Sequence, residues 1–309
     1  MTRVGAVDLG TNSTRLLVAD VEDGRVRELE RCTEVTRLGD GVDASGRLSP
    51  EAMERVYEVL ARYREIIDGC EADRLDAVAT SAVRDAANSD DFRAALHERF
   101  GIDARTLTGE EEATLTFLGA TSAHGERRVP TLVVDVGGGS TEFVTGTAGA
   151  EPSFHASTRA GSVRQTERHL RSDPPGKEEL RALRREVRAI IDGSIPARVR
   201  ARVEAAIAVA GTPTSLAAVD QQLEPYDPAK VEGYELELPA CERMLAELAG
   251  IPLPERCQVR GLHPARAPTI VAGSAILIEA MLAFGLDRIQ VSEADLLHGV
   301  ALRPHDETV

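Results

Sequence analysis

The stretch V-V-D-V-G-G-G-S-T-E-F, Val133 to Phe143, sets three glycines between an aspartate and a Ser-Thr pair, and a glutamate follows at once. Glycine has no Cβ, so successive backbone N–H groups can close around an anion, and phosphate is the natural guest of such a concavity. The bracketing acids, Asp135 and Glu142, need a different partner. Two carboxylates 4 Å apart repel by about 4 kcal/mol at an effective dielectric near 20, so acids brought together imply a divalent cation or a raised pKa. Magnesium takes oxygen ligands and bridges carboxylate to phosphate, which suits this set.

A second copy of the pattern stands near the start. D-L-G-T-N-S, Asp8 to Ser13, matches D-V-G-G-G-S, Asp135 to Ser140, at a separation of 135 minus 8, or 127 residues. Each follows a short apolar strand and leads into another strand, so neither is a dinucleotide turn, and no G-x-x-x-x-G-K-[ST] loop occurs. A glycine turn between strands is also simply a tight hairpin, but a chance pair need not carry an acid before and a hydroxyl after. T-G-E-E-E-A, from Thr108, opens a helix with Glu110, Glu111 and Glu112. Acids there are favoured by the helix dipole, and the same residues could add carboxylates to a cleft. Arg84, in T-S-A-V-R-D, and Arg15 and Arg37, in or beside the first strands, offer the positive charge an anionic substrate needs.

The elements that must position these residues read as follows. Strands are expected over Val4–Val7, Leu16–Val21, Val26–Arg37, Leu75–Thr80 and Ala104–Leu107, then over Leu132–Val134, Ala206–Ala210 and Ile289–Val291. Helices are expected after Ser49-Pro50-Glu51, from Asn88 as cap to Phe100, over Lys177–Val203, after Gly211-Thr212-Pro213-Thr214, over Ala265–Phe284 and after Ser292, the last packing back on the first half. A domain-sized repeat of strand, acid, glycine turn and strand predicts two similar domains facing each other across a cleft.

Composition narrows the function classes. The chain has 309 residues, 42% apolar and 28% charged, with a net charge of −15. An acidic chain with 3% aromatics lacks the basic face and stacking platforms of a nucleic-acid binder, so we expect no nucleic acid as partner. Cys32, Cys70, Cys241 and Cys257 have no metal-ligand spacing and are expected as buried, reduced thiols. With no signal-peptide pattern at the N-terminus, they point to a cytoplasmic protein. Ala267–Leu286 is the most apolar segment, but Glu279 inside it and Pro268 at its start favour a buried helix over a membrane span.

Taken in order and spacing, D-L-G-T-N-S-x-R-L-L-V, A-T-S-A-V-R-D-A, T-G-E-E-E-A and D-V-G-G-G-S-T-E-F resemble the exopolyphosphatase / guanosine pentaphosphate phosphohydrolase (Ppx/GppA) family over essentially the whole chain. The resemblance implies an α/β chain with a duplicated actin-like, ribonuclease H-like (ASKHA) fold: residues 1–122 with 298–309 as one domain, 123–297 as the other. It implies Mg²⁺-dependent release of the terminal phosphate of inorganic polyphosphate, or of the 5′-γ-phosphate of guanosine pentaphosphate, with guanosine tetraphosphate a further candidate ligand. By the same resemblance Glu112 is the general base, Glu142 holds metal or water, and Asp135 with Asp8 binds metal. Gly137, Gly138, Gly139, Ser140 and Thr141 cradle phosphate opposite Gly10, Asn12 and Ser13, and Arg84 grips the terminal phosphoryl group. Longer relatives carry further helical domains, so short polyphosphate chains and a homodimer are expected here. A sugar or acetate kinase with ATP between the domains, and a nonenzymatic nucleotide or alarmone binder, are the rival readings. A pure binder has no reason to aim G-E-E-E-A carboxylates at an anion.

Overall fold

In the computed structural model, residues 1–122 and 129–303 are described. The chain divides into two compact units, Met1–Gly125 with Ala294–Val309, and Glu126–Glu293. The boundary expected between 122 and 123 abuts residues outside the described ones. The second crossing comes at Ala294 rather than at 298, because Leu296 packs with Val4 and Ala6 and Asp295 pairs with Arg15.

The first unit opens with an antiparallel meander, β1 (Thr2–Leu9), β2 (Thr14–Glu22) and β3 (Arg25–Glu34), to which β4 (Arg74–Ala79) and β5 (Ala104–Thr106) add in parallel, in the order β3-β2-β1-β4-β5. Both faces of β1 are covered. Side chains alternate along a strand, so Val4 and Ala6 enter one apolar cluster while Val7 and Leu9 enter the other. The parallel crossovers are helices: α1 (Pro50–Gly69) joins β3 to β4, and α2 (Ser81–Asp85) with α3 (Ser89–Phe100) joins β4 to β5. Ser49 caps α1 as the sequence predicts, its hydroxyl accepting from the Ala52 amide at 3.2 Å. Asn88 stands at the N-cap of α3 but makes no cap bond, because its amide pairs with both backbone groups of Leu48. The third strand stops at Glu34, and Arg37 lies beyond it in a loop with a left-handed backbone, φ 51°. A further helix, α4 (Gly109–Ser122), follows β5.

The second unit repeats the plan. β6 (Thr131–Val136), β7 (Thr141–Gly146) and β8 (Phe154–Thr158) form the meander, and β9 (Ala205–Val209), β10 (Glu235–Glu237) and β11 (Arg288–Val291) complete the order β8-β7-β6-β9-β11-β10. Apart from the extra edge strand β10, this is the strand order of the first unit, a duplicated α/β fold of the ribonuclease H-like, actin-like kind. Its longer helices are α5 (Ser162–His169), α6 (Lys177–Ser194), α7 (Gly211–Asp220), α8 (Leu238–Ala249) and α9 (Ile270–Phe284). The Arg-rich helix predicted to reach Val203 ends at Ser194, since Pro196 lacks the N–H the next turn needs and disfavours helix in the residue before it. The apolar helix begins at Ile270 after a 3₁₀ turn at Pro264–Arg266. Glu279 within it is fully buried and pairs with Arg184 and Arg188 of α6 at 2.5 and 2.7 Å, which is how a carboxylate is tolerated in a core helix. Among the described residues no helix is long and apolar enough to cross a membrane. All four cysteines are free, but only Cys241 is buried; the other three are half-buried.

The chain then returns to the first unit with α10 (Leu296–Leu302), which crosses α4 at two glycines. A Cβ on Gly119 would stand 1.9 Å from the Asp295 carbonyl oxygen, and one on Gly299 1.9 Å from that of Leu115. The backbones therefore touch, and the helix carrying Glu112 is held by the last one. Gly119→Ala should lower unfolding free energy by about 3 kcal/mol or more through overpacking. Gly193→Ala, where nothing lies within 4 Å, should leave the melting temperature unchanged or slightly raised. Thermal melts of both variants check this.

Candidate active site

Each unit carries its glycine turn between its first two strands, and the two turns are built alike. In the first, the Gly10 amide donates to the Ser13 carbonyl at 3.0 Å, and a Cβ on Gly10 would lie 2.8 Å from that oxygen. In the second, a Cβ on Gly137 would lie 3.0 Å from the Ser140 carbonyl. A side chain at Gly10 would collide with that carbonyl, and one at Gly137 would be tight against its equivalent.

The turn carbonyls are taken up from behind. In the second unit the amides of Ser162, Val163 and Arg164, at the start of α5, donate to the carbonyls of Gly137, Gly138 and Gly138 at 2.9, 2.8 and 3.2 Å. In the first unit Gly39 and Arg37 donate to the carbonyls of Thr11 and Asn12 at 2.8 and 3.0 Å. A trans peptide points its N–H opposite to its C=O. Fixing those carbonyls therefore turns the N–H groups of Gly138 and Gly139, and of Asn12 and Ser13, to the other side, the arrangement of an anion-binding nest. In the first turn Thr11 Oγ1 and Asn12 Nδ2 are buried without a hydrogen-bond partner among the described residues.

The acids differ between the copies. Asp8 lies directly across from Arg15 in the β1–β2 ladder, and Asp135 directly across from Glu142 in the β6–β7 ladder. The offset is the same, 142 minus 15 being 127 again. Arg15 holds Asp8 Oδ2 at 2.7 Å and also pairs with Asp295, the N-cap of α10, so in the first unit the charge is met by the protein itself. Asp8 Oδ1 alone is left without a partner. Burial raises the Asp8 pKa, with Arg15 opposing. Burial also pushes Asp295 up, but Arg15, Arg31 and His298 together outweigh it and hold that carboxyl below its ordinary value. In the second unit both partners are acids, 6% and 1% exposed, and the Ser157 hydroxyl donates to Glu142 Oε1 at 2.8 Å. Among the described residues no three His, Cys, Asp or Glu side chains converge as a metal site. Magnesium commonly keeps several waters and uses one or two carboxylates plus substrate phosphate, and the Asp135–Glu142 pair fits that donor set.

The acidic run at Glu110–Glu112 separates into roles. Glu111 accepts from the Thr108 amide at 2.7 Å while the Thr108 hydroxyl accepts from the Glu111 amide at 3.2 Å, a capping box for α4. Glu112 is buried, and Arg84 Nη1 donates to its Oε2 and to the Leu107 carbonyl, both at 2.9 Å. Burial pushes the Glu112 pKa up to about 7, against the pull of Arg84, and Asp8 adds to the rise. A carboxylate with that pKa beside an arginine is suited to taking a proton near neutral pH.

Of the expected site residues, Asp8, Gly10, Asn12, Ser13, Arg84 and Glu112 lie in the first unit, and Asp135, Gly137, Gly138, Gly139, Ser140 and Glu142 around the turn of the second. Thr141 uses its hydroxyl inside the unit, so any part it has in the expected cradle is left to its backbone. Its side chain is fully buried and its hydroxyl donates to the Ala160 carbonyl at 2.5 Å, since strand alternation sends Thr141 and Glu142 to opposite faces. Asp295, Ser157, Gly161 and Arg164 were not singled out in the sequence. The glycine in R-A-G-S-V-R, Arg159 to Arg164, was the available signal, for a Cβ on Gly161 would lie 2.2 Å from the Gly138 carbonyl oxygen.

The profile of the Ppx/GppA phosphatase family matches residues 17–307. Exopolyphosphatase 2 of Mycobacterium tuberculosis is 39% identical over 98% of both chains. The crystal structure of the Aquifex aeolicus member of the Ppx/GppA family is similar at a TM-score of 0.81, with 31% identity over 97% of this chain and 96% of that one. An exopolyphosphatase from Cytophaga hutchinsonii superposes at 0.88, with 27% identity and the same coverage of each chain.

The raised Glu112 pKa has a stability consequence. A carboxyl that binds its proton more tightly folded than unfolded favours folding as pH falls from 7 towards 4.5 and loses that contribution as pH rises through the same window. Glu112→Gln removes the titration. Its unfolding free energy relative to the native chain should shift in its favour between pH 5 and pH 8, by at most about 3 kcal/mol at 1.36 per pKa unit. Denaturant melts at the two pH values measure this, and a difference that does not change with pH would contradict the buried, proton-holding state.

Proposed function

The chain belongs to the Ppx/GppA phosphatase family, and from that premise we propose that it is an exopolyphosphatase, a phosphoanhydride hydrolase that releases orthophosphate from the end of inorganic polyphosphate by attack of a water activated by Glu112. The relative named Exopolyphosphatase 2 supports the substrate class. The observation that carries the chemistry is Glu112 itself, a buried carboxylate with its pKa near 7 next to Arg84.

In this reading Glu112 takes the proton of the attacking water, and Arg84, the only direct cationic partner of that carboxylate among the described residues, keeps part of it ionised and meets negative charge on the phosphoryl group. In the first unit the amides of Asn12 and Ser13 are fitted to receive phosphoryl oxygens and oppose the charge that builds on them, and the turn of the second unit, taken by itself, offers those of Gly138, Gly139 and Ser140 to the same class of anion. Asp135 and Glu142 would hold Mg²⁺, which when bound supplies charge neutralisation for the anhydride oxygens. Asp8, with one oxygen held by Arg15, anchors the first turn and keeps only Oδ1 for any ion bound there. The leaving group is the shortened chain, and no phosphoenzyme is formed. Short chains are the preferred substrate in this account, and the cytoplasm, where free thiols persist, is its setting.

The test is phosphate release from short polyphosphate, long polyphosphate and guanosine pentaphosphate, with and without Mg²⁺, by the native chain and Glu112→Gln. We expect native turnover on polyphosphate to rise with pH through about 7. Glu112→Gln should lose on the order of 10²-fold or more of kcat while still binding polyphosphate. Equal turnover in the variant removes Glu112 as base, and turnover confined to guanosine pentaphosphate replaces the substrate.

A further inference from the structure

We propose that Arg164 is a positioning residue for the phosphate turn of the second unit: by holding the Gly139 carbonyl from inside the protein, it sets the direction of the Ser140 amide and with it the affinity of the turn for phosphate. The proposal rests on the exopolyphosphatase reading for its substrate, but its geometry lies wholly within one unit.

Arg164 is 5% exposed, and burying a guanidinium is costly unless its donors are used. Its Nε donates to the Gly139 carbonyl at 2.8 Å. The backbone at the start of α5 reaches only the first two glycines: the Ser162 amide takes the carbonyl of Gly137, and the amides of Val163 and Arg164 take that of Gly138. The third carbonyl belongs to the Arg164 side chain. Each carbonyl governs the N–H of the next residue through the planar peptide, so Ser162, Val163 and Arg164 together orient the amides of Gly138, Gly139 and Ser140. The contact is close on every side. A Cβ on Gly161 would stand 2.2 Å from the Gly138 oxygen and 2.3 Å from the Gly139 carbonyl carbon, so α5 starts directly against the turn.

The chemistry of the side chain adds a second effect. A charged donor polarises the Gly139 peptide, leaving its Ser140 N–H a better donor to an anion on the opposite side. Lysine lacks the planar fork that places Nε and the two terminal nitrogens at once, and glutamine can offer one neutral N–H at nearly the same reach. The substitutions therefore distinguish bond from charge.

The experiment compares native protein, Arg164→Lys, Arg164→Gln and Arg164→Met in two assays: orthophosphate binding by calorimetry, and KM, kcat and pH profile on polyphosphate. We expect Arg164→Met to weaken orthophosphate binding and raise KM by about tenfold or more, with Arg164→Gln recovering part of the loss. The acidic limb of the pH profile, which belongs to Glu112, should stay in place. A purely structural role would lower the melting temperature and the active fraction while leaving KM and the orthophosphate affinity of the folded fraction unchanged, and that result overturns the proposal. If Arg164→Met does not fold, the milder pair decides: lysine and glutamine variants with native orthophosphate affinity overturn it equally. Because orthophosphate binding needs no turnover, a native chain that binds phosphate but does not cleave polyphosphate would sink the exopolyphosphatase reading and leave this one standing or falling by its own measurement.

Discussion

A carboxylate buried at the end of a β-strand must find compensation for its charge, and the two halves of this chain place opposite charges across from it at one equivalent station. Across from Asp8 the ladder places Arg15; across from Asp135 it places Glu142. The first pair is neutral and is tied on to Asp295, so it fastens the returning helix to the sheet that carries the first turn. The second sets two acids across from each other in the same register, and in the function proposed above these two would hold the divalent cation. One duplicated hairpin thus yields a structural anchor in one copy and, in the proposed function, the carboxylates for a cation in the other.

The glycine turns obey a related constraint. A backbone N–H aims at an anion only if its peptide plane is held, and here the holding is done through carbonyls, by α5 and Arg164 behind one turn and by Arg37 and Gly39 behind the other. The left-handed Arg37, with φ 51°, stores strain of the order of 1 kcal/mol or more that the surrounding loop must offset. The same economy of position holds for Glu112. Its helix is set against the last helix of the chain at Gly119 and Gly299, its neighbour Glu111 is consumed by the cap, and burial then raises its pKa.

What the sequence made legible were features encoded within a few residues. The Asp-to-Ser turns, the apolar strands before them and the Ser49-Pro50-Glu51 helix start all stand in the structure because glycine, β-branched runs and caps act locally. Contacts between distant segments were not legible. Nothing near Arg15 announces Asp295, 280 residues later, and nothing near Gly139 announces Arg164. Asn88 looked like a cap but was claimed by Leu48, 40 residues before it. The helix drawn through Pro196 could have been ended from the sequence, since a proline lacks the N–H that the next turn needs.

In the proposed function a single cross-strand exchange, arginine for glutamate, decides which copy holds a divalent cation. Mg²⁺ binding by calorimetry to folded native protein and to Glu142→Arg, which rebuilds in the second unit the pairing of Asp8 with Arg15, tests it most directly. The account requires the native chain to bind the ion and the variant to lose it, together with phosphate release from polyphosphate. A folded Glu142→Arg protein that binds Mg²⁺ as tightly as the native chain would contradict it.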